Sequence, residues 1–190
     1  MRVRLAVKRP PVYNLVRSNF SWPDHIARTF VTAALITWLK PGTIADPACG
    51  DASILDAAYR LNPFSLAYLS DISAPQMKSL NPIFDHRSFT GDVYEGMAQF
   101  DHVDLIVLTE ILEHLEDPDA LLRLARFKGT SLIVSSPIGD PEHGLNEEHL
   151  WAWDEIGYEE MLRGAQWTPV AKTLLTFPGI NGNSQIWVAQ

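Results

Sequence analysis

Three acidic residues recur at the ends of short apolar runs: Asp46 closes Thr43 to Ala45, Asp71 closes a run from Ser65, and Asp92 follows Gly91 after Arg87 to Thr90. The first leads into Pro47-Ala48-Cys49-Gly50-Asp51-Ala52, a turn of small residues ahead of a helical pattern. Small residues let a ligand approach the backbone, and the unpaired N–H groups that begin a helix receive a carboxylate. A carboxylate at the second strand end can accept both hydroxyls of a ribose, and one at the third can accept from an adenine amino group. A tight strand-to-helix connection also needs a glycine, and a lone acid at a strand end is commonly a turn former or cap. Three in successive units, about 20 to 25 residues apart, are harder to explain that way. Ligands of open parallel sheets sit outside the carboxyl ends of the strands, where all three would meet.

A second group follows the next apolar run. Thr109 and Glu110 close it, and Glu113-His114 come one turn later, where a histidine beside a carboxylate is a candidate general base for a hydroxyl. Packing of that histidine within the fold is the competing reading. Further on, His143, His149, Trp151 and Trp153 stand between a strand and a helix, either as a substrate loop with aromatic contacts or as anchors of that loop to the core. No metal site is expected, because Glu110, Glu113 and His114 lack an obvious completing ligand.

These residues need strands to carry them, and the chain supplies alternating apolar runs and amphipathic segments, the pattern of an α/β domain. A helix is predicted from Asp24, as cap, to Lys40, with Pro41-Gly42 as its stop. Strands follow at Thr43 to Asp46, Ser65 to Asp71, Arg87 to Thr90, Val103 to Leu108 and Ser131 to Ser135. Helices are predicted at Ala52 to Arg60, Ala74 to Leu80, Glu110 to Leu115, Asp119 to Phe127 and, capped by Asp154, as far as Gly164. The runs Pro169 to Phe177 and Ser184 to Ala189, joined by Pro178 to Asn183, read as a hairpin.

A chain of 190 residues, 46% of them hydrophobic, is enough for one domain with one sizeable core. The single cysteine, Cys49, excludes an intrachain disulfide and a cysteine zinc cluster. A net charge of -8 argues against nucleic acid as a partner, although Arg2, Arg4, Lys8 and Arg9 gather near the start. No apolar run approaches the roughly 20 residues that cross a bilayer, so a soluble, cytoplasmic protein is expected.

The motifs together resemble the class I S-adenosylmethionine-dependent methyltransferases, and within them the small-molecule branch that includes ubiquinone-biosynthesis O-methyltransferases. Asp46 to Ala52 is similar to that family's acidic glycine-rich motif, with Ala48 and Ala52 at two glycine positions. Leu69 to Ile72 resembles its ribose-binding motif, Gly91-Asp92-Val93 its adenine-binding one, Asp104 to Pro118 its fourth strand and Leu132 to Pro137 its fifth. The likeness covers roughly residues 40 to 190. It implies a Rossmann-like methyltransferase fold: a mostly parallel seven-stranded sheet with a C-terminal antiparallel hairpin and helices on both faces.

It also implies S-adenosylmethionine as cofactor, held by Asp46, Ala48, Cys49, Gly50, Asp71, Ile72, Asp92, Val93, Thr109 and Glu110, with Glu113 and His114 as catalytic candidates and a small-molecule methyl acceptor. The methyltransferase domain is expected over residues 24–190, with residues 1–23 as a separate segment in which Asn19 to Pro23 is a candidate lid. Two alternatives stay open, a nucleic-acid or protein methyltransferase and a non-catalytic S-adenosylmethionine-binding module.

Overall fold

The computed structural model describes residues 1–5, 15–139, 148–177 and 183–190. Lys8, Arg9, His143 and most of the turn from Pro178 lie outside them. The elements run β1 (Arg2–Arg4), a 3₁₀ turn (Asn19–Ser21), α1 (Pro23–Leu39), β2 (Thr43–Asp46), α2 (Ser53–Leu61), β3 (Leu66–Asp71), α3 (Ala74–Ser79), β4 (His86–Thr90) and α4 (Val93–Met97). They continue with β5 (Val103–Thr109), a 3₁₀ turn (Leu112–His114), α5 (Pro118–Lys128), β6 (Gly129–Pro137), β7 (Trp151–Trp153), α6 (Glu155–Gly164), β8 (Pro169–Leu175) and β9 (Ser184–Ala189).

Seven strands form one sheet in the order β4-β3-β2-β5-β6-β9-β8, and β9 alone runs against its neighbours. The chain winds outward from β2 through β3 to β4, then returns to the other side of β2 at β5. The carboxyl ends of β2 and β5 therefore splay around a crevice, the place where open α/β sheets bind ligands. Apolar side chains from the two faces pack separately, Ile106, Leu108 and Trp167 on one and Ile44, Leu55 and Val107 on the other. Asp104 lies in β5 without disturbing this core, because it is exposed and accepts hydrogen bonds from Gly42 and Thr43 at 2.9 and 2.8 Å.

Helix α1 starts at Pro23, whose missing N–H costs nothing at the first helical position, so Trp22 is the cap and Asp24 falls inside the first turn. It stops where Lys40 takes φ 53° and returns its N–H to Ile36. Asp92 caps α4, a helix not anticipated from the sequence, and forms a reciprocal capping box with Glu95. The helix expected over Glu110 to Leu115 is only the 3₁₀ turn, because Glu110 leaves β5 at φ 53° and interrupts the backbone path. Strands β1 and β7 were also unanticipated. They pair antiparallel, and Asp119 sits 2.5 Å from the guanidinium of Arg2 while Glu116 pairs with Arg4, so these two basic residues are engaged within the fold. Trp153 is in the core and Trp151 donates its ring N–H to the carbonyl of Leu115 at 2.8 Å, so both tryptophans anchor the loop. No helix among the described residues is long and apolar enough to cross a membrane.

Candidate functional site

A cavity of about 430 Å³ opens at the crevice, within the size range of small-molecule sites. Ala48, Cys49, Gly50 and Asp51 form its floor, Thr109 and Glu110 its far wall, and Val16 to Asn19 with Trp22 cross its rim. The floor is shaped by backbone. Gly50 has φ 53° and donates its N–H to Asp71 Oδ2 at 3.0 Å, while Cys49 donates to the carbonyl of Ser70 at 2.9 Å. The turn after β2 is thus tied to the end of β3. The other oxygen of Asp71 accepts from the N–H of Ser73 at 2.8 Å, which fixes the carboxylate against the Gly50 turn.

Ala52 adopts φ 58° just before α2, a conformation that costs an alanine roughly 1–2 kcal/mol relative to glycine. Asp46 is 1% exposed, and its Oδ1 has no hydrogen-bond partner among the described residues. Burial raises its pKa to about 8, the N–H of Ala48 offsetting part of the effect. Cys49 is buried, and the same loss of solvent pushes its thiol well above its usual range, so it packs as an apolar group.

The far wall is held by side chains. Arg28, in the buried stripe of α1 with Thr32 and Ile36, pairs with Glu110 at 3.1 Å, and Glu110 also accepts from the hydroxyl of Ser135 at 2.8 Å. Glu110 thereby anchors the wall in a left-handed backbone conformation that only strong local contacts maintain. Arg28 was missed in the sequence, although a charge on the i, i+4, i+8 stripe of an otherwise buried helix face was the available signal.

The rim segment is fastened to the floor. Asn19 donates its backbone N–H to Asp51 Oδ2 and its amide N–H to Asp51 Oδ1, both at 2.9 Å, and reaches Ser53 Oγ at 3.0 Å. Arg17 N–H is bonded to Gln76 Oε1 at 2.7 Å, and Ser73 donates to the carbonyl of Leu15 at 2.9 Å.

The remaining expected site residues are distributed unevenly. Ile72 is exposed beside Asp71 and is not among the residues that line the cavity. Asp92 spends Oδ1 on the N–H groups of Tyr94 and Glu95. Val93 does not present its side chain to a ligand, because it is packed in the core with Met97 and Ala45. Glu113 and His114 are outside the cavity wall and are not hydrogen-bonded to each other. The Glu113 carboxylate is 1% exposed and its pKa is driven well up by burial and then by Glu110, whereas His114 Nδ1 lies 3.3 Å from the carbonyl of Glu148. Burial lowers the pKa of His114, so its ring is neutral at pH 7.

No family model and no curated sequence matches the chain. Solved structures do. The magnesium protoporphyrin IX methyltransferase of Synechocystis, with S-adenosylhomocysteine bound, superposes with a TM-score of 0.65 at 18% identity over 93% of this chain and 90% of that one. The 1,6-didemethyltoxoflavin-N1-methyltransferase of Burkholderia thailandensis gives 0.65 at 15% identity over 99% and 94%. The fold is that of the class I methyltransferases. A candidate O-methyltransferase of Nostoc punctiforme gives 0.65 at 17% identity over 86% of this chain, which spans 55% of that longer protein.

Proposed function

We propose that the chain is an S-adenosylmethionine-dependent methyltransferase acting on a small-molecule acceptor. The observation that carries this reading is the floor of the cavity at the strand-order reversal, where the Gly50 N–H is drawn onto the Asp71 carboxylate beside an open space of about 430 Å³. A Cβ at Gly50 would meet no atom within 4 Å, so the backbone there is bare toward a ligand. In this reading Asp71 takes the ribose hydroxyls, Ile72 lies along the adenine, and Asp92 has its Oδ2 for the amino group. Asp46 faces the cationic end of the cofactor, whose positive charge compensates a buried carboxylate.

S-adenosylmethionine supplies an activated methyl group on a sulfonium when bound. The protein's own contribution is to hold donor and acceptor in line and exclude water. Thr109 and Glu110 delimit the acceptor side of the cavity, and the Arg28 pair keeps Glu110 from moving into it. The rim segment through Asn19 closes over the floor as a lid. The resemblance of Asp104 to Pro118 to the ubiquinone-biosynthesis branch supports an oxygen acceptor.

Calorimetric titration of the purified chain with S-adenosylhomocysteine tests the reading. One-site binding is expected, and Asp71→Asn should weaken it by roughly 10- to 100-fold, the worth of a hydrogen bond to a charged group. A folded protein that shows no binding overturns it.

A further inference from the structure

Beyond the cavity wall, the 3₁₀ turn Leu112–His114 is clasped by the segment leading into β7. The N–H of Leu150 donates to the carbonyl of Glu113 at 2.7 Å, and the rings of His114 and His149 meet edge to face with centroids 4.8 Å apart. One ligand atom from each of Glu113, His114 and His149 lies within 4.8 Å of the others. A carbonyl only accepts, so the contact with Glu148 assigns the ring proton of His114 to Nδ1 and leaves the lone pair on Nε2. Independently, Glu113 is 1% exposed and neither carboxylate oxygen has a hydrogen-bond partner among the described residues. An unpaired buried carboxylate is costly, and a cation beside it removes that cost.

We propose that Glu113, His114 and His149 bind a divalent first-row transition-metal ion. Two imidazoles and one carboxylate favour zinc, manganese, iron or cobalt over magnesium and calcium, which prefer all-oxygen surroundings. The longest separation in the cluster, at most 4.8 Å, has to shorten by roughly 1.5 Å to give tetrahedral bonds of about 2 Å, a change within reach of side-chain rotation. Both histidines are half-buried, which leaves the ion an entry path. Three protein ligands leave at least one coordination position for an oxygen. On the methyltransferase reading above, an acceptor that reaches past the Glu110 wall supplies that oxygen, and the ion lowers its pKa. The binding of the ion itself does not depend on that reading. His149 thereby supplies the completing ligand that the sequence did not reveal.

The chelator-treated 190-residue chain is titrated with Zn²⁺, Mn²⁺, Co²⁺ and Mg²⁺ in the absence of cofactor, and S-adenosylhomocysteine binding is measured alongside. One ion per chain is expected, Mg²⁺ being the weakest. Glu113→Gln and His149→Ala should each weaken Zn²⁺ binding by at least the roughly 100-fold that marks the upper range for losing an outer-shell support, with S-adenosylhomocysteine affinity retained. Absence of ion binding in a chain that binds S-adenosylhomocysteine overturns the proposal, as does undiminished binding in folded His149→Ala. Ion binding without S-adenosylhomocysteine binding supports the site and overturns the cofactor reading instead. If His149→Ala does not fold, the visible spectrum of the Co²⁺-loaded native chain decides: intense low-coordinate bands support the site, and the weak bands of the aqueous ion overturn it.

Discussion

The floor and the far wall of the cavity are built in opposite ways. The floor, from Asp46 to Ala52, is a backbone structure in which N–H groups point to the next strand end and small side chains stay out of the way. The far wall, at Glu110, is a side-chain structure that depends on Arg28 from α1 and Ser135 from β6. A backbone floor fits a ligand common to many enzymes, because it needs only the local path of the chain. A side-chain wall can be remodelled residue by residue, which suits the end of a site that meets a variable acceptor.

This contrast makes the wall the more fragile of the two. Glu110→Ala leaves the buried Arg28 guanidinium unpaired, and urea unfolding should show a loss of about 3–5 kcal/mol. A loss below about 1 kcal/mol, the scale of a surface pair, would show that the wall does not rest on this contact.

The floor should reveal itself through pH. Asp46 holds its proton up to about pH 8 in the folded chain, against 3.8 as the ordinary value. Between those values the folded state binds the extra proton, so stability falls as pH rises, by up to about 1.4 kcal/mol per unit, and levels off above pH 8. Urea midpoints measured from pH 5 to pH 9 should show this decline in the native chain and a shallower one in Asp46→Asn. Equal slopes would place the titration elsewhere.

Much of the floor was legible in the sequence because local chemistry dictates it. Asp46, Gly50 and Asp71 could be placed from strand patterns and turn residues, and strand β9 and the α6 cap at Asp154 follow the same local rules. Thr109 and Glu110 could be placed at a strand end in the same way, but the contacts that hold the wall were not legible, because they join residues far apart in the chain. Arg28 belongs to α1 and Glu110 follows β5, and His114 meets His149 only after β6 has crossed the sheet. Strands β1 and β7 were hidden for a similar reason, since each is three residues long and neither is defined without the other. At Glu110 the helical pattern was a false lead, because the left-handed backbone there answers to Arg28 and Ser135 and not to its sequence neighbours.

The smallest expected effect sharpens the comparison from the floor side. Gly50→Ala introduces no clash but retains a left-handed conformation, so a loss of about 1–2 kcal/mol is expected in unfolding experiments. A neutral substitution would show that the turn can relax, and that its shape is less fixed than its hydrogen bonds suggest.

On the proposed function, the crevice floor holds an adenosyl cofactor with its reactive end toward the wall. A crystal structure with S-adenosylhomocysteine tests this most directly. Ribose hydroxyls on Asp71, the adenine along Ile72 and the sulfur directed toward Glu110 are expected. Ligand density away from the Asp46–Gly50 turn, or a ribose with no contact to Asp71, would contradict it.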